Sequence, residues 1–124
     1  MSLLTHERAV IWVCSSLGGS DEGRHNGYHV RDRSGSRVRV AARHIEGRMP
    51  LYFHLGAGVG TDQFDEMAIV LFDTDWSVRF AYAVAADALP DLAKVYGNTP
   101  PRLLVGDAEA WGDSPPEGVV RLVA

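Results

Sequence analysis

The stretch GYHVRDRSGSRVRVAAR, Gly27 to Arg43, is the part of this chain whose reading decides the fold. Tyr28 and Val30, then Val38, Val40 and Ala42, alternate with polar neighbours at the period of two expected of a strand with one buried face. Between them Arg33-Ser34-Gly35-Ser36 has the composition of a turn, so residues 27–33 and 37–43 are expected to pair as an antiparallel hairpin. The same alternation puts His29, Arg31, Arg37, Arg39 and Arg43 on the opposite face. That face is cationic.

The formal charge of -4 conceals this asymmetry. Arg24 to Arg48 holds seven arginines against Asp32 and Glu46, whereas residues 49–124 hold eleven acidic side chains and four basic ones. A basic stripe attracts a polyanion by counterion release even on an acidic protein, although the acidic remainder weakens long-range steering. The competing reading pairs these arginines with the protein's own acids. At 124 residues the chain is expected to be one domain, removing roughly two thirds of its unfolded surface from water without metal or disulfide support. The longest apolar run, Ala9 to Cys14, is too short to span a bilayer, and the polar residues Thr5, His6, Glu7 and Arg8 argue against a signal peptide. No membrane partner is expected. Cys14 is the only cysteine, so no internal disulfide is available and a cytoplasmic location is the simplest expectation.

Outward from the hairpin, Val10, Val13, Cys14 and Leu17 have helical spacing, with Leu4 and Thr5 as staple and N-cap and Gly18 as terminator. The β-branched run AVIWVC within it also fits a buried strand. Residues 18–26 lack periodicity and read as a connector. His44 to Thr61 is a glycine-punctuated excursion with one short strand at LYFHL. Glu66 to Asp73 suits a central strand covered on both faces, and beyond the Asp73-Thr74-Asp75 turn Val78, Phe80, Tyr82 and Val84 mark its hairpin partner. Asp87 is expected to cap a helix that runs to about Tyr96, with Pro90 in its first turn. Arg102–Val105 and Val119–Val123 read as strands separated by an irregular segment around Trp111. The expected architecture is therefore α/β (α+β), a mostly antiparallel or mixed sheet flanked by two helices, at Thr5–Leu17 and Asp87–Tyr96.

The order helix, hairpin, strands, helix, strand, with Gly27-Tyr28-His29 before the turn and Val38-Arg39-Val40-Ala41 then Arg43 after it, resembles small bacterial proteins of the PD-(D/E)XK restriction-endonuclease-like superfamily. Phe64-Asp65 leading into the apolar strand, and the passage from Val78 through Leu89, extend the resemblance over about residues 5–97. It implies a restriction-endonuclease-like core. In such nucleases an aspartate and a glutamate or glutamine hold a divalent ion while a lysine orients the attacking water. Here the aspartate position is His29, the glutamate position Arg39 and the lysine position Ala41. An arginine in place of a carboxylate turns an attraction of about 4 kcal/mol for a unit charge at 4 Å into comparable repulsion. No catalytic residue, metal ligand or cofactor is therefore expected. The resemblance implies an inactive nuclease-like domain that binds a nucleic-acid or other acidic partner through His29, Arg31, Arg37, Arg39 and Arg43.

Two alternatives stand beside this. A metal-dependent nuclease would need relocated ligands at Asp62, Asp65 or Asp73, whereas turn formation is the simpler role for Asp73 and Asp75. A small homodimer would use a sheet edge and Trp111 without nucleic acid. His25, His29, His44 and His54 have no established zinc spacing. Gly56-Ala57-Gly58-Val59-Gly60 lacks the Gly-Lys-Ser/Thr ending of a phosphate loop and reads as connector. Glu7 is the acidic residue that the resemblance would bring near the site. Cys14 and Trp12 are expected in the core, and Trp76 and Trp111 as exposed anchors.

Overall fold

Two alternating apolar layers on the central strands dictate a sheet covered on both sides. The computed structural model describes residues 4–25, 27–56, 63–94 and 101–123. Helix α1 (Thr5–Leu17) is followed by strands β1 (Ser20–His25), β2 (Tyr28–Arg31), β3 (Arg37–His44), β4 (Tyr52–His54), β5 (Glu66–Phe72) and β6 (Val78–Ala85). A 3-10 turn at Ala86–Ala88 leads into α2 (Leu89–Leu92), then β7 (Arg102–Leu104), α3 (Val105–Trp111) and β8 (Val119–Arg121). The main sheet has the order β1-β2-β3-β5-β6-β8, and β4 pairs with β7 in a separate two-stranded ribbon. The fold is α+β with a mixed sheet, since β3 and β5 run parallel and their neighbours antiparallel.

Ala9, Val10 and Val13 of α1 pack on Val38 and Val40 of β3, Ala68 and Val70 of β5, and Ala81 and Ala83 of β6. The alanines let the helix backbone come close. The other face of β5 and β6, with Met67, Ile69, Leu71, Phe80, Tyr82 and Val84, receives Phe53 of β4, Leu103 of β7, Leu89 of α2, and Val105 and Ala108 of α3. Each fully buried side chain of this size contributes roughly 1.5–3 kcal/mol. Parallel strands need a crossover of a dozen or more residues, and here the excursion carrying β4 fills that role, with no helix among its described residues.

Several expectations are corrected. Residues 20–25 form an edge strand rather than a connector, held by backbone pairing to β2 across a register shift between Asp21 and His25, which hides any side-chain periodicity. The N-cap of α1 is Leu4, with no side-chain cap, and Thr5 lies inside the helix; Gly18 ends it at φ 63° as expected. Instead of a helix from Asp87 to Tyr96 there is one turn, Leu89–Leu92, which stops where Ala93 turns extended; Tyr96 falls outside the described residues. Val105 to Trp111 is a third helix, tied to β6 where Glu109 accepts from Arg79 Nε and NH2 at 2.9 and 2.7 Å. Trp111 is no free anchor, since its ring packs edge-on against Tyr82 at 5.1 Å. Trp76 packs between Arg8, 4.4 Å above its ring, and His44, stacked at 3.6 Å.

The hairpin turn is built on Asp32, whose Oδ1 accepts from the Ser34 and Ser36 amides, each at 2.9 Å, and from the Ser34 hydroxyl at 2.7 Å. Burial pushes the Asp32 carboxyl up, but those hydrogen bonds outweigh it and hold the group below its ordinary value. Its neighbour Glu66, half-buried at the start of β5, is raised above the ordinary 4.5, first by burial and then by the Asp32 charge, and the two carboxyl groups share a hydrogen bond. Folded Glu66 therefore holds its proton to higher pH than the unfolded chain does, so stability falls as pH rises from about 4.5 through the raised value. Glu66→Gln keeps a donor toward Asp32 and loses this penalty. The variant is expected to melt above the parent at neutral pH, with the gap closing below the ordinary carboxylate range. A gap independent of pH would refute this assignment.

Candidate functional site

The arginine face divides because strand β2 leaves its partner. Val30 pairs with Val38 and Arg31 with Arg37, and the described pairing stops there. The Val40 N–H is instead donated to His29 Nδ1 at 3.0 Å, so an imidazole stands where a strand carbonyl would continue the ladder. His29 thereby turns to the helix side of the sheet, its ring 4.4 Å from His6 of α1. Arg31 and Tyr28 share the opposite side, with Arg31 NH2 donating to Tyr28 Oη at 2.7 Å. Because a backbone N–H can only donate, neutral His29 carries its proton on Nε2. The expected common face of His29, Arg31, Arg37, Arg39 and Arg43 is thus split, with His29 on one side and the arginines on the other.

Those arginines serve the protein's own oxygens. Arg31 reaches Glu22 Oε2 at 3.1 Å and the Gly35 carbonyl at 3.0 Å. Arg37 meets Asp65 through its guanidinium at 3.2 Å and its own amide at 2.7 Å, contacts that hold the Asp65 carboxyl below its ordinary value. Arg39 is buried at 9% exposure. Its Nε donates to the Gly27 carbonyl at 2.6 Å, NH1 to Leu55 O at 3.1 Å and NH2 to Gln63 Oε1 at 2.8 Å, with Phe64 4.5 Å beneath its plane. Four residues on, Arg43 NH1 donates to Tyr52 O at 3.0 Å. Two arginines of β3 therefore clamp the segment that carries β4. Gly27 is required for this: at φ 92° a Cβ there would stand 2.6 Å from Gln63 Oε1 and 2.9 Å from Arg39 NH2.

Where β2 and β3 part, a cleft of about 520 Å³ opens, lined among others by His6, Glu7, Asp21, His29, Arg39 and Leu55. Glu7 lies in it, as the resemblance implied. His6 and Asp21 were not foreseen: no sequence signal marks Asp21, since its strand has none, while His6 beside Glu7 on the first turn of a helix is a signal that sequence reasoning passed over. Among the described residues no three of His, Cys, Asp or Glu gather as a metal site would require. Asp65 is tied to Arg37 and Asp73 accepts from Arg79 NH1 at 3.4 Å, while Asp62 and the side chain of His25 lie outside the described residues. His44 and His54 stand apart from the cleft. Cys14 is half-buried on the inner stripe, its thiol pushed up by burial and then by Asp21, away from the thiolate that reactivity needs. No described helix is long and apolar enough to cross a membrane.

Neither a protein-family model nor a curated protein matches the chain. Truncating Arg39 leaves the buried Leu55 carbonyl short of an N–H, at roughly 1–3 kcal/mol, and also frees the half-buried Gly27 carbonyl, whereas Gln63 is exposed to water. Arg39→Ala is expected to lower unfolding free energy by about 2 kcal/mol in urea titration. Arg39→Lys is expected to recover only part, because one ammonium cannot replace the planar fork. A loss below about 1 kcal/mol would show that the clamp is dispensable.

Proposed function

We propose that this protein is a non-cutting, nuclease-like domain that holds a phosphate of a nucleic-acid partner in the cleft beside His29 and Arg39. The observation that carries the reading is the buried Arg39 guanidinium in the cleft wall, at the position where the resemblance implies a carboxylate for a metal. A positive charge held in a partly dry wall acts on a nearby anion more strongly than one in open water. His29 and His6 line the same cleft. Glu7 and Asp21 are exposed, where solvent screens their opposing charge. Arg39 also repels the divalent ion that cleavage by this chemistry uses, so binding without hydrolysis follows.

A relocated metal site is the weaker reading, because Asp65 and Asp73 are already engaged by arginines. Self-association is favoured by one observation, the edge strand β8 with Val120 exposed at 63%. Concentration-dependent light scattering tests it.

Titration of a short labelled DNA duplex without metal is expected to show binding that weakens as salt rises, and His6→Ala is expected to weaken it further. Incubation with magnesium or manganese is expected to leave the duplex intact. Absence of binding at low salt sinks the proposal, and metal-dependent cleavage sinks its non-catalytic half.

A further inference from the structure

Away from the cleft, the two-stranded ribbon presents a surface that the reading above does not use. Its register pairs Tyr52 with Leu104, Phe53 with Leu103 and His54 with Arg102. Phe53 and Leu103 are fully buried in the core, so the period of two turns Tyr52, His54, Arg102 and Leu104 outward. The Arg102 guanidinium lies 4.6 Å from the Tyr52 ring centroid, and the His54 ring lies 6.4 Å from it. Beside the ribbon runs an open groove of about 530 Å³, lined by Arg43, Arg48, Tyr52 and His54 among others, with Glu46 its one acidic member. Arg48 is exposed, and among the described residues its side chain makes no hydrogen bond or ion pair. Arg43 gives NH1 to the Tyr52 carbonyl and keeps its charge at the groove wall.

We infer that the outer face of the β4–β7 ribbon and this groove form a platform for single-stranded nucleic acid. Tyr52 and His54 offer ring faces to unpaired bases, and Arg43, Arg48 and Arg102 surround them with charge for the connecting phosphates. A flat ring flanked by cations suits a strand with exposed bases better than a duplex, whose bases are stacked inside. It also suits such a strand better than an acidic peptide, which has charge but no planar faces to stack. The surface is separate from the cleft, so this inference does not depend on the phosphate proposed there.

Fluorescence anisotropy with a labelled oligothymidylate, the equivalent duplex and polyglutamate as competitor tests it on the whole chain. The single strand is expected to bind at low salt. Tyr52→Ala, which keeps the carbonyl that Arg43 uses, is expected to weaken it roughly tenfold. Arg48→Ala is expected to reduce the slope of log K against log salt by about 0.7 without disturbing the fold, as circular dichroism would verify. Tyr52→Ala is expected to weaken the single strand more than the duplex, which separates the platform from the cleft. No binding by the parent at low salt overturns the inference. So does parent-like binding by both Tyr52→Ala and Arg48→Ala, and so does equal displacement by polyglutamate, which would mark an acidic protein as the partner instead.

Discussion

Donation from two arginines of β3 to backbone carbonyls of the chain's long excursion is the constraint on which the rest of the molecule depends. Arg39 and Arg43 lie four apart on one face of a strand and grip Leu55 and Tyr52 respectively. That grip holds β4 against the sheet, puts Phe53 into the core and sets the ribbon that receives β7. A parallel β3–β5 pair is normally closed by a crossover helix whose apolar stripe packs down on the sheet. Here the excursion supplies Phe53, Leu55 and Phe64 to the core, and the guanidinium groups add hydrogen bonds to its backbone.

The same constraint bears on function. In the nuclease pattern proposed for this chain, this face of the hairpin would be anionic and would hold a metal. Here it is cationic and its arginines bond to the protein's own oxygens. Arg39 is both a structural clamp and a fixed charge in the wall of the cleft, so deleting it cannot separate the clamp from the binding proposed for the cleft. His29 shows a related economy, since the hydrogen bond that completes the broken ladder also selects which ring nitrogen carries the proton.

Elements with a pattern of their own were legible in advance. Helix α1 has its apolar stripe and glycine stop, β3 has its alternation beyond Gly35, and β5 has its unbroken apolar run. Strand β1 was hidden because its order comes from pairing with β2 and not from its own side chains. Helix α3 was hidden because only Val105 and Ala108 are buried in seven residues, too short a stripe to stand out from a glycine- and proline-rich tail. The parity argument for the hairpin faces assumed an unbroken ladder, and it failed at Tyr28 and His29, which lie where the ladder ends: Tyr28 packs in the core on the arginine side while Val30 packs under α1.

By itself, then, the amino-acid order determined which segments alternate, where the chain turns and that its positive charge is concentrated in one stretch, because these are local properties that short-range sterics and solvation express directly. The tertiary structure alone decided what that charge does. The Arg39 acceptors lie 12, 16 and 24 residues away and the Arg37 carboxylate 28, and a hydrogen bond made across such separations depends on where other elements bring its partner.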